Sequence, residues 1–147
     1  MNGENPAHAD TYTRNHNVSV SGPQSINVSA STQYKGDPSC ADPEQMLVSA
    51  LASCHMLTFL AVAEIKGFQV ERYEDVAVGF LEKTANNKLA IARIELHPNV
   101  YFIGDRQPDK VDLERLHESA HKNCFIANSV NASVEVKAVP VRVKALT

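Results

Sequence analysis

Cysteine is scarce in this chain, positive charge is not in excess, and no long apolar run interrupts its polar spacing. Cys40, Cys54 and Cys124 are the three cysteines, and an odd set cannot all pair within one chain. That sets aside a disulfide-stapled scaffold and turns attention to what each thiol does. Fourteen Lys and Arg stand against seventeen Asp and Glu, a formal net charge of −3. With a pI near 6.0, the chain lacks the basic footprint of a nucleic-acid binder. It also lacks a run of like charges that would form a binding tail. No uninterrupted stretch approaches the roughly 18 apolar residues of a membrane helix, so no membrane partner is expected. The polar segment Met1–Asp10 lacks the apolar middle of a signal peptide, so a reducing cytoplasm is the expected location. There is no internal repeat and no low-complexity segment.

What is present is ordinary globular material: 147 residues, 44% hydrophobic and 21% charged. This suits one domain with a real core. The expected division is a disordered lead-in over residues 1–10 and a single domain over residues 11–147. Tyr12–Ser21 and Ile26–Tyr34 read as strands, from the alternation of Val18 with Val20 and of Ile26, Val28 and Ala30. Gly36, Pro38 and Ser39 make Lys35–Ala41 a loop. Asp42 as N-cap, Pro43 at the first helical position and Glu44 in the first turn then open a helix. It is expected to run over Gln45–Lys66 and stop at Gly67. Because Met46–Ala63 is apolar almost all round, that helix is expected to be buried on every side.

Phe68–Leu81 and Lys88–Phe102 read as a hairpin turning at Asn86-Asn87. Asp109 opens a second helix, with Val111, Leu113, Leu116, Ala120 and Cys124 on one apolar stripe. Ala132–Leu146 closes the chain as a strand. The order ββ, helix, ββ, helix, β predicts an α+β fold, an antiparallel sheet packed on a long buried central helix.

A free cysteine in such a helix reads first as a small buried hydrophobe, and Cys124 invites the same reading. Three features weigh against it. Ser53 and His55 flank Cys54, and His121 and Asn123 precede Cys124. The two helices are expected to share one core, so the thiols can meet. Glu44 lies ten residues before Cys54, about 15 Å down a helix and roughly 80° out of alignment. It can therefore reach the thiol only through an intermediary such as an arginine.

The block Asp42-Pro43-Glu44 through Ser53-Cys54-His55-Met56-Leu57 resembles the P-E-x₉-C helix of the OsmC/Ohr family. Ala120-His121-Lys122-Asn123-Cys124-Phe125-Ile126-Ala127-Asn128-Ser129-Val130 is similar to that family's second cysteine motif. The likeness is nearest to a subgroup carrying the same Ser-Cys-His-Met and Cys-Phe-Ile-Ala-Asn-Ser strings, and it runs in order from about Tyr12 to Val136. It implies a thiol-dependent peroxidase built as an intertwined homodimer, with no metal or organic cofactor. Its partners would be a hydroperoxide substrate and a thiol or dithiol reductant. Carried over, Cys54 is the peroxidatic thiol and Cys124 the resolving thiol, while Glu44 holds an arginine from the N-terminal strand. Arg14 is the only arginine before Arg72 and takes that role. His16 completes the subgroup's Arg-x-His pattern, and the tryptophan that often follows the arginine in relatives is absent here.

Under this reading a guanidinium beside Cys54 offsets the burial that would otherwise raise its pKa. Attack on peroxide then gives a sulfenic acid, which Cys124 condenses to a disulfide. Met56, Leu57, Phe59 and Phe125 are expected to favour organic hydroperoxides over hydrogen peroxide. Two other readings stand beside it. His117, His121 and Cys124 at i, i+4 and i+7 could bind a metal with Cys54 or His55. Alternatively the fold could serve as a redox sensor or a lipid- or small-ligand-binding module whose thiols react once. Cys40 reads as an incidental loop thiol, and Arg93 as a second-choice partner for Glu44.

Overall fold

The computed structural model describes residues 1–3 and 12–139. The chain divides into two compact units, Met1–Leu47 and Val48–Thr147. In the first, β1 (His16–Ser19) pairs antiparallel with β2 (Ser25–Val28). Both strands are shorter than their alternation suggests. After β2 the chain turns through a 3₁₀ segment, Thr32–Tyr34, where the expected strand continued. Gly36 explains part of this: a Cβ there would overlap the Ala30 carbonyl, so only glycine lets the loop fold back. Asn2 pairs with Asn17; residues 4–10 of the expected lead-in lie outside the described residues.

Helix α1 (Pro43–Ile65) begins where the capping signals place it. Asp42 Oδ1 accepts from the Gln45 N–H at 2.8 Å, and Gln45 Oε1 accepts from the Asp42 N–H at 3.2 Å, a reciprocal capping box. It ends at Gly67, whose φ of 81° is the left-handed conformation that closes helices. In length and composition α1 could cross a membrane, contrary to the sequence expectation. Within this chain its row Val48, Leu51, His55, Phe59 and Ala63 is core. All-round burial is not found: Leu57 is 60% and Ile65 82% exposed.

In the second unit the expected two-strand hairpin is four strands. Strands β3 (Gln69–Glu74) and β6 (Asn99–Ile103) pair antiparallel, as do β4 (Val78–Lys83) and β5 (Leu89–Leu96). The β4–β5 turn lies at Asn87, with φ of 59°. Both long segments break at one place. Asp75 Oδ1 accepts from the His97 N–H at 2.7 Å, and the Val76 carbonyl accepts from His97 Nδ1 at 2.8 Å. Pro98 follows and offers no N–H to a ladder. Strand β7 (Ser133–Val136) adds to β5 in parallel, so the expectation of a wholly antiparallel sheet is corrected. Residues 140–146 of the expected final strand lie outside the described residues. The α+β class holds.

Helix α2 (Lys110–Asn123) carries a capping box between Asp109 and Asp112. Its Leu113, Leu116 and Ala120 pack with Phe59 and Ala63 of α1 and with Phe68, Val100 and Phe102. Val48 and Leu51 pack instead with Ile94 and Leu96. Val111 was expected on the buried stripe but is 51% exposed; His117, 5% exposed, is buried in the core with Leu113 and Leu116.

Candidate functional site: a pair of unlike thiols

Cys54 stands mid-way along α1, partly buried, and Cys124 is the fully buried residue that closes α2. Past Cys124 the chain leaves the helix and tightens into a turn. The Cys124 carbonyl accepts from Asn128 N–H at 3.1 Å and the Phe125 carbonyl accepts from Ser129 Oγ at 2.7 Å. Three successive N–H groups in this turn are used on sulfur. The Ala127 N–H donates to Cys124 Sγ at 3.4 Å, and those of Ile126 and Phe125 serve Cys54. Backbone donors aimed at a thiol favour its anion, as they do at a helix N-terminus.

The two thiols titrate in opposite directions. Burial pushes Cys54 up, but the Ile126 N–H, the Cys124 thiol and the Phe125 N–H outweigh it, so Cys54 is lowered below an ordinary thiol. Thr58 adds least, because its hydroxyl proton is given to the Cys54 carbonyl at 2.8 Å. Cys124 is raised, first by burial and then by its contact with Cys54, against the opposing Ala127 and Ile126 N–H groups. The two sulfurs thus differ in one direction: Cys54 is the more acidic of the pair and Cys124 the less. Such a pair contains a nucleophile and a second sulfur within reach of it.

His55, next to Cys54 in sequence, is half of a buried imidazole pair. His55 Nε2 and His117 Nδ1 are 3.1 Å apart. The ring planes differ by 4° and the centroids stand 5.4 Å apart, so the rings meet edge to edge in one plane rather than face to face. Burial lowers His55 to about 4, helped by His121, and lowers His117 to about 3, helped by His55. Both are neutral at neutral pH, so one ring donates and the other accepts. His117 Nε2 is buried with no partner among the described residues.

In the first unit, Arg14 donates to the Tyr12 carbonyl at 2.5 Å and lies 4.0 Å over the Tyr12 ring. His16 Nδ1 lies 2.8 Å from the Arg14 carbonyl; a carbonyl can only accept, which assigns the proton to Nδ1. Glu44 is in the first turn of α1. Cys40 is half-buried in its loop, its N–H donating to the Asp37 carbonyl at 3.1 Å.

Residues 36–139 match the family model described as OsmC-like protein. The chain belongs to the OsmC-like family. An OsmC-like protein of unknown function from Vibrio cholerae has a similar structure, with a TM-score of 0.85 and 39% identity over 87% of this chain and 86% of its own. An organic hydroperoxide resistance protein from Elizabethkingia anophelis shares the fold, with a TM-score of 0.66 and 21% identity over 87% and 88%. The uncharacterized protein YmaD of Bacillus subtilis is 25% identical over 111 residues, which is 75% of this chain and 73% of YmaD.

Within this OsmC-like chain several sequence expectations need correction. Among the described residues no three His, Cys, Asp or Glu side chains gather as a metal-ligand set. The i, i+4, i+7 spacing is real, but His117 is spent on His55 and Cys124 on Cys54. Arg93 is engaged by Glu95 at 2.6 Å and Glu82 at 3.4 Å, on the β4–β5 hairpin. Phe59 is fully buried, 4.4 Å from the His117 ring, so it is core and not substrate-pocket wall. A cleft of about 340 Å³ between α2 and β7 is lined by Leu113, His117, His121, Val134 and Val136 among others, and neither Cys54 nor Cys124 lines it. The histidine pair was missed. Its signal was position: His117 falls four residues after Leu113 and three before Ala120, on the apolar stripe.

Proposed function

We propose that this OsmC-like protein is a cysteine-based peroxidase of organic hydroperoxides, with weaker action on hydrogen peroxide. The observation that carries the reading is the unlike thiol pair, a Cys54 lowered and a Cys124 raised from the ordinary thiol, each acting on the other. The Cys54 thiolate attacks one peroxide oxygen and breaks the O–O bond. Sulfur takes that oxygen as a sulfenic acid, and the other leaves as alkoxide and takes up a proton to become alcohol. The Cys124 thiol then displaces hydroxide from Cys54, forming the disulfide and releasing water. A dithiol reductant attacks the disulfide, returns both cysteines to thiols and leaves as its own disulfide.

Arg14, held by Glu44, is assigned to stabilise the thiolate and the leaving oxygen. The exposed Leu57 and Phe125, neighbours in sequence of the reactive half-turns, support an apolar approach for an alkyl tail. The exposed apolar residues of α1 and of the turn after Cys124 support a homodimer in which a second copy covers them. The assignment extends to one domain over residues 11–147, acting in a reducing cytoplasm.

Trapping tests the first step. Cys124→Ser treated with one equivalent of cumene hydroperoxide and then dimedone should gain one adduct, mapped by mass spectrometry to Cys54. An adduct on Cys40 alone, or no adduct, overturns the assignment.

A further inference from the structure

We infer that the His55–His117 hydrogen bond is a positioning device for the two cysteines, setting how readily Cys54 and Cys124 close to a disulfide. This rests on the reading of those thiols as a redox couple. His55 follows Cys54 directly in α1, and His117 lies seven residues before Cys124, about two turns earlier on α2. The bond between them therefore ties the turn of α1 that carries one sulfur to the helix that delivers the other. Among the described residues, the other polar side-chain link between α1 and the end of α2 is the one between the two sulfurs themselves.

Its geometry is restrictive. The two nitrogens are 3.1 Å apart and the rings share a plane within 4°, so sliding or rotating either helix bends the bond away from linearity. Phe59 packs 4.4 Å from the His117 ring and limits its rotation. Apolar side chains alone would hold the helices together but would tolerate small shifts in register. A disulfide does not tolerate them, since its bond and dihedral geometry admit only a narrow range of Cβ positions.

The pair also carries a cost that simple packing would avoid. His117 Nε2 is buried without a partner among the described residues, and an orphaned polar atom of that kind is destabilising. Two aliphatic side chains would fill the space without it. Among the described residues neither ring hydrogen-bonds to a sulfur, which marks them as positioning residues rather than catalytic ones.

The test places one chemical group in two positions. In a Cys40→Ser background, His117→Asn keeps an amide near the place of Nδ1, whereas His117→Gln moves it toward Nε2 and away from His55. The Cys54–Cys124 equilibrium is measured in reduced and oxidised glutathione buffers, with the rate of Cys54 oxidation by peroxide measured separately. His117→Asn should keep the effective concentration of the thiol pair within about threefold of the parent, and His117→Gln should lower it by about tenfold or more. His117→Leu should resemble Gln. The peroxide reaction of Cys54 should change little in any of them. Equal disulfide equilibria for Asn, Gln and parent overturn the inference, whatever happens to melting temperature. A parent that forms the disulfide with glutathione but does not react with peroxide overturns the peroxidase reading and leaves the positioning role standing.

Discussion

Cys54 and Cys124 are the same residue type in one buried neighbourhood, and the direction of titration separates them. What divides them is the turn after α2, whose Phe125 and Ile126 N–H groups serve Cys54 while burial dominates at Cys124. Thiolate absorbance of Cys40→Ser against pH should therefore show two steps, one below the ordinary thiol value of about 8.5 and one above it. Cys124→Ala removes one donor and should move the lower step upward; a single step near the ordinary value contradicts the asymmetry. The cysteines themselves were legible, because polar residues beside an apolar helix position are unusual and the two motifs around them are long. The donors were not, since backbone N–H groups have no letter in the sequence. His117 was legible only as a candidate metal ligand because its own type is polar, although its spacing placed it among Leu113, Leu116 and Ala120.

Helix boundaries were read well because caps are local chemistry. Asp42, Pro43, Gly67 and Asp109 each do what their side chains or φ preferences dictate. Strand boundaries were read poorly because pairing is non-local: the shared break at Asp75 and His97-Pro98 lies 22 residues apart in sequence, and the parallel β5–β7 pairing leaves no mark in alternation. One contact shows how tightly α1 and the hairpin are fitted. A Cβ on Gly79 of β4 would lie 2.6 Å from Val48 Cγ2, and a helical valine has little rotamer freedom to yield. Gly79→Ala should destabilise the fold by about 1–3 kcal/mol, as overpacking does, and the loss should shrink in a Val48→Ala background. Urea midpoints check this; a wild-type midpoint for Gly79→Ala contradicts the close approach.

The exposed apolar row of α1 is where composition misled most. A helix apolar all round was expected to be buried all round, yet one chain buries only the row from Val48 to Ala63. Which residues of an apolar helix stay exposed depends on non-local packing, which periodicity does not encode. Family membership follows from residues 36–139, and the thiol pair gives that membership its proposed chemistry. The most direct test is dithiothreitol-dependent consumption of tert-butyl hydroperoxide by wild type, Cys54→Ser and Cys124→Ser. The account predicts many turnovers for wild type, none for Cys54→Ser, and no intramolecular disulfide in Cys124→Ser. Consumption of a single equivalent by wild type, with dithiothreitol in excess, would contradict it and leave a thiol that reacts once and does not cycle.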